Sequence, residues 1–284
     1  MGIFVVTGAG SGMGNAVATT LRARGHTAIT VDITGADVIA DLSTPAGRRG
    51  AAADVLTACA GHLDGAVLAA GVGPTPGAER AITEVNYFGV VDLLTAWRPA
   101  LAAADRAKVV VFSSNSTTTV PMVPRRAVRA LLAGDADRAL RSYRLFGSLA
   151  PPMAYAASKI AVTRWVRRHA VTADWAGAGI RLNALAPGAI MTPMLERQLA
   201  TPTEAKQVRR FPVPIGGFGD AGQIADWVIF MLSDAADFLC GSMVFVDGGS
   251  DAFFRADDWP RPVPARHLPS YVWRSRQFVR RSRP

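Results

Sequence analysis

The chain has 284 residues, 50% of them hydrophobic and 19% charged. That balance suits a buried core and excludes a disordered polymer, and no run of ~18–20 apolar residues is present to cross a membrane. The net charge is +9, but residues 259–284 alone hold seven arginines and no acid. The rest is nearly neutral, which argues against a basic nucleic-acid groove on the body.

Two cysteines, Cys59 and Cys240, and four histidines without metal-ligand spacing exclude a disulfide framework and a zinc site. The start, MGIFVVTGAGSG, lacks a basic segment ahead of its apolar run. A secretory signal is therefore not expected, and a reducing cytoplasm is.

In chain order, IFVV reads as a strand, followed by a glycine turn, a helix over 13–24 and a strand over 27–32. A short strand fits 37–42, a helix 46–60, a strand 65–69, a long helix 79–104 and a strand 108–114. A helix over 153–176, a strand over 180–186, helices near 194–210 and 221–233, and a strand over 243–247 complete the pattern. Strands alternating with helices predict a doubly wound parallel α/β sheet, a single Rossmann-type domain over 1–258. Residues 120–150 break the alternation. Their prolines and periodic Val, Leu and Ala predict an inserted helical segment.

Gly8, Gly12 and Gly14 lie in TGAGSGMG, between the first strand and the first helix. Such a turn lets backbone approach a pyrophosphate at the positive helix end. It also serves simple close packing. No lysine of a mononucleotide loop follows. Asp32 ends the second strand, where a carboxylate accepts from a ribose and repels a 2′-phosphate, so NAD is expected over NADP. Tyr155 and Lys159 share one helical face in YAASK. The ammonium is expected to lower the tyrosine pKa, making it a general acid/base.

Taken together, these motifs resemble the short-chain dehydrogenase/reductase family. The matches are TGxxxGxG at 7–14, Ala69-Ala70-Gly71, Asn86 in VNYFG, Ser113-Ser114, YxxxK at 155–159, Pro187-Gly188 and VDGG at 246–249. Ser114 and Tyr155 stand 41 positions apart, a spacing similar to the bacterial 3α-hydroxysteroid dehydrogenase/carbonyl reductase branch. The resemblance implies an NAD-dependent interconversion of a secondary alcohol and a ketone. It makes Tyr155 the proton donor or acceptor and Ser114 the stabiliser of the carbonyl oxygen, with Ser113 supporting the turn. Lys159 would lower the Tyr155 pKa and hold the nicotinamide ribose, and Asn86 would help hold a water. Gly8, Ser11, Gly12, Met13, Gly14, Asp32, Asp41, Leu42, Ala69, Ala70, Gly71, Ile190 and Thr192 would line the cofactor site with Tyr155 and Lys159.

Residues 189–218 follow the Pro-Gly turn, where this family keeps a substrate lid. Their Met191, Met194, Leu195, Phe211, Val213 and Ile215 suit a hydrophobic hydroxysteroid-like alcohol or ketone, or else pack against the body. A homodimer is expected, with 120–150 either blocking a tetramer, forming the contact or capping the substrate. The tail at 259–284 reads as a solvated end, as a membrane- or nucleic-acid-binding segment, or as a flap over the site. The alternative function is a non-catalytic NAD-binding regulator on the same fold.

Overall fold

A computed structural model describes residues 1–259 and 262–281. The chain begins with β1 (Ile3–Thr7), α1 (Gly12–Ala23), β2 (Thr27–Asp32), β3 (Val38–Ile39), α2 (Pro45–Ala58) and β4 (Gly65–Leu68). It continues with α3 (Glu79–Thr83), α4 (Gly89–Ala102), β5 (Lys108–Phe112), α5 (Ser116–Thr119), α6 (Arg125–Leu132), α7 (Ala136–Tyr143) and α8 (Ala150–His169). Next come β6 (Arg181–Pro187), β7 (Ile190–Met191), α9 (Pro193–Ala200), α10 (Pro202–Arg210), β8 (Gly219–Asp220), α11 (Ala221–Leu232) and β9 (Met243–Val246). The last helices are α12 (Ser250–Arg255) and α13 (Leu268–Arg281).

Seven strands pair in parallel in the order β3-β2-β1-β4-β5-β6-β9, and β7 and β8 form a separate parallel pair. This is the expected doubly wound α/β sheet. β4 and β5 are buried along their whole length, as strands covered on both faces must be. On one face, Leu93, Leu94, Trp97 and Leu101 of α4 and Val162 and Val166 of α8 pack on Val109 and Val111. On the other, Val17 and Leu21 of α1 and Ile224 and Val228 of α11 pack on Val6 and Val110. The strand order reverses between β1 and β4, where such sheets open a crevice beyond the strand ends.

Several boundaries differ from expectation. β3 spans two residues rather than 37–42, because Asp37 turns back to accept from the Thr30 hydroxyl (2.6 Å) and amide (2.9 Å). The expected helix over 79–104 contains a π turn at Glu84–Phe88 between α3 and α4. The expected helix near 194–210 is two helices, because Pro202 forces the extended conformation of Thr201 (φ −93°, ψ 118°). α8 starts at Ala150 and ends at His169, after which a turn leads to Gly179 at φ 81°.

Residues 120–150 fold into α6, α7 and a 3₁₀ turn. Ala127, Val128 and Leu131 of α6 and Tyr143 of α7 join the core beside α8. In the tail, residues 268–281 are helical, with the side chains of 268–276 exposed to solvent. Among the described residues no helix is long and apolar enough to cross a membrane.

Candidate functional site

The turn after β1 needs its glycines. Gly8 (φ 71°) and Gly12 (φ 56°) adopt left-handed backbone. A Cβ on Gly14 would run into the Gly8 carbonyl oxygen, and one on Gly8 would sit 2.6 Å from the Ala70 amide nitrogen. The turn is tied down from three sides. The Gly8 amide donates to Val31 O (2.8 Å), the Ala70 amide to Thr7 Oγ1 (3.1 Å) and the Asn15 amide side chain to Ala9 O (3.1 Å). α1 thus points its N-terminus into the crevice, and the Ser11 side chain does not cap it. Free N–H groups at a positive helix end suit an anion.

A cleft of about 550 Å³ opens there. Gly8 and Ser11 to Gly14 line one wall, Asp32, Asp41 and Leu42 a second, and Ala69, Ala70, Gly71 and Thr192 the remainder. The Asp32 carboxylate accepts from the Gly10 (2.8 Å) and Ile33 (2.6 Å) amides, which fixes it at the end of β2. Hydrogen bonds from Ser43 hold the Asp41 carboxyl below its usual range. The Ile190 side chain departs from expectation. It is buried in the core against α11 and does not line the cleft.

Ser114, Tyr155 and Lys159 gather beyond the C-terminal end of β5. Ser114 Oγ accepts from the Ser116 amide (3.1 Å), and Ser113 Oγ is turned away to Thr163 Oγ1 (2.7 Å). Burial pushes the Tyr155 phenol up, and the Ser114 hydroxyl beside it offsets part of that rise. This corrects the expected lowering by Lys159. The ammonium is itself buried with no carboxylate partner, which pushes its pKa down to about 8. Its Nζ donates to Phe112 O (2.8 Å) and stands 5.8 Å from the centre of the Tyr155 ring.

Asn86 lies in the π turn, fully buried. Its side chain bridges both backbone groups of Val72, accepting from the amide (2.8 Å) and donating to the carbonyl (3.0 Å). Gly71 joins the two halves of the site. It lines the cleft, and a Cβ there would lie 3.3 Å from Asn86 Oδ1 and 3.8 Å from Lys159 Nζ.

Residues outside the expected cofactor set complete the site. Val72, Val85, Met194 and Arg197 also line the cleft. Arg48 is buried and pairs with Glu84 (3.0 Å) and Asp92 (2.7 Å) while donating to Leu42 O (3.1 Å). It fastens the cleft's Leu42 wall to the helix that carries Asn86. Nothing in the run Gly47-Arg48-Arg49-Gly50 distinguishes it from the arginine beside it.

The cleft's dimensions, its left-handed glycines and its uncapped helix end fit a dinucleotide.

Known proteins share this arrangement. The profile of a family described as "Enoyl-(Acyl carrier protein) reductase" matches residues 139–251. The 3-alpha-hydroxysteroid dehydrogenase/carbonyl reductase of Comamonas testosteroni is 38% identical over 255 residues, 90% of this chain and 98% of that protein. The levodione reductase of Leifsonia aquatica is 30% identical over 89% of this chain and 95% of its own length. The crystal structure of a 3-alpha-hydroxysteroid dehydrogenase from Pseudomonas sp. B-0831, complexed with NADH, superposes with a TM-score of 0.84 at 42% identity. It covers 90% of this chain and 99% of its own.

Proposed function

The chain belongs to the short-chain dehydrogenase/reductase family, and we propose from that premise that it is an NAD-dependent oxidoreductase interconverting a secondary alcohol and a ketone on a hydrophobic substrate. One observation carries the reading: the Ser114 and Tyr155 hydroxyls and the Lys159 ammonium converge beside a glycine-lined cleft. A bound nicotinamide supplies or accepts a hydride at the substrate carbon. The chain's own residues position the substrate and move the proton. In reduction, Tyr155 Oη gives its proton to the carbonyl oxygen, and the Ser114 hydroxyl donates to that oxygen as charge develops. Lys159 then returns a proton towards the phenolate. In oxidation the proton runs the other way.

The raised Tyr155 pKa suits a resting phenol, which must hold its proton to donate it. A cationic nicotinamide ring brought close to Tyr155 would favour the phenolate needed for oxidation. The NADH-bound relative supports NAD, as does Asp32, whose charge opposes a 2′-phosphate. Met194, which lines the cleft, and the exposed Met191 and Ile215 support an apolar substrate received by a lid at 189–218. We take residues 1–258 as the catalytic domain.

A homodimer is the proposed assembly. Trp227 and Phe230 stand exposed on α11 with ring centres 6.1 Å apart, an apolar pair suited to a self-complementary contact. Light scattering that finds a monomer overturns it.

NADH absorbance across hydroxysteroids, terpenoid alcohols and simple secondary alcohols tests the activity. Turnover with NAD is expected, and Tyr155→Phe is expected to lower it by about 10²–10⁴-fold without changing the melting temperature. NAD binding with equal, negligible turnover in both proteins would favour the regulator instead.

A further inference from the structure

The last described helix has no counterpart in the chemistry above. α13 is 14 residues long, about 21 Å, too short to span a bilayer. Leu268, Tyr271 and Val272 follow the i, i+3, i+4 spacing of one helical face. All three are solvent-exposed, Leu268 to 60% and Tyr271 to 58%. The next position of that spacing, 275, is a serine, and the sequence returns to an apolar residue only at 279. Arg274 and Arg276 fall on the two flanks of this stripe. Trp273, 61% exposed, faces away from the stripe on the far side of the helix. The connection into the helix also exposes Trp259 and Val263. A monomer gains nothing from leaving such side chains in water, so a patch like this marks an interaction surface.

The charge extends from the helix onto the body. Arg274 shares a surface hollow with Arg164, Arg167 and Arg168 of α8. Burial first, and then the charges of Arg168 and of Arg125 of α6, push the Arg164 pKa down. Among the described residues, none of Arg125, Arg164, Arg168, Arg274 and Arg276 forms an ion pair. Like charges held together without carboxylates repel, and an external anion relieves that repulsion.

We propose that α13 and the adjoining arginines of α8 dock the protein on an anionic phospholipid surface. The helix lies in the plane of the interface, with Leu268, Tyr271 and Val272 turned to the acyl boundary and the arginines at the phosphates. Nucleic acid would satisfy the arginines but has no use for an aliphatic face. A second copy of the tail would set seven arginines against seven, with no acid in residues 259–284.

Flotation of the full chain with lipid vesicles tests this. Vesicles of phosphatidylcholine with about 30 mol % phosphatidylserine are compared with phosphatidylcholine alone, at about 150 mM salt. The protein is expected to float with the anionic vesicles only. Tyr271→Asp with Val272→Asp is expected to abolish flotation. Arg274→Glu with Arg276→Glu is expected to weaken it about tenfold or more. Both variants should keep the wild-type melting curve and turnover, because these side chains are exposed and do not line the cleft. The proposal is overturned if the wild-type chain ignores anionic vesicles or floats equally with both. It is also overturned if the Tyr271/Val272 variant floats as well as wild type, if duplex DNA binds the chain tightly while vesicles do not, or if removing residues 259–284 abolishes a dimer and leaves flotation intact.

Discussion

Lys108 and Lys159 sit near opposite ends of β5, and both are about 95% buried. At the N-terminal end of the sheet, Lys108 Nζ meets Asp234 (3.0 Å) and Asp237 (2.9 Å). Its neighbours are equally well matched. Arg181 donates to Asp237 O (3.0 Å), and Asp64 accepts from the Ile3 amide (2.6 Å). At the C-terminal end, Lys159 has one backbone carbonyl and no carboxylate. The nearby Asn115 Nδ2 and Ser116 Oγ are buried without hydrogen-bond partners. One end of the sheet gives its buried cation two carboxylates, although Asp237 Oδ1 has the ion pair and no hydrogen bond, and the other gives its cation none. Uncompensated burial costs stability and keeps a site ready for a ligand.

Replacing each lysine should separate the two ends. Lys159→Met is expected to lower turnover by about 10²-fold or more. The same change should raise folding stability at pH 7, by up to about 3 kcal/mol, since it removes a buried cation. Lys108→Met should leave turnover intact and destabilise by about 1–2 kcal/mol, because Asp234 and Asp237 keep access to water. Chemical denaturation with parallel kinetics reads both. If the two variants lose stability equally, the distinction fails.

The pH profile sharpens the comparison. Lys159 binds its proton less tightly in the fold, at about 8 against 10.5, so the unfolded chain carries more protons between those values. Stability from this group is therefore gained as pH rises from 8 towards 10.5 and lost as pH falls through 8. Tyr87 and Tyr143 have the opposite sign. Burial pushes both up to about 12, so their contribution is complete below pH 10 and is lost as pH rises towards 12. Melting temperature should climb between about pH 8 and 10 and then fall. Lys159→Met should remove the climb and keep the fall. The smallest effect belongs to the surface. Arg106→Ala, which cuts an exposed 3.3 Å pair with Asp237, should change stability by less than about 0.5 kcal/mol.

Much of this was legible in sequence. The glycine turn announces itself because positive φ and backbone contact leave few alternatives to glycine at positions 8 and 14. Tyr155, Lys159, Ser114 and Asn86 were found because their spacing forms a set. Arg48 could not be found that way, since its partners lie 36 and 44 residues on and only the fold brings them together. The Tyr155 pKa was misjudged for a related reason. Spacing puts an ammonium near a phenol, but only packing shows that both are buried and that desolvation dominates. The break at Thr201-Pro202 is readable from the proline, which disfavours helical backbone at the residue before it.

The π turn at Glu84–Phe88 has a consequence for how this helix can change length. Such a turn arises when a regular helix takes up one extra residue. Removing one residue here would let α3 run into α4 with ordinary hydrogen bonding. Leu93, Leu94, Trp97 and Leu101 lie beyond the π turn and would keep their register along α4. The residues of the turn would shift, and Asn86 would rotate off Val72. A single codon's deletion would thus spare the architecture and disconnect the wall of the cleft from the helix beneath it.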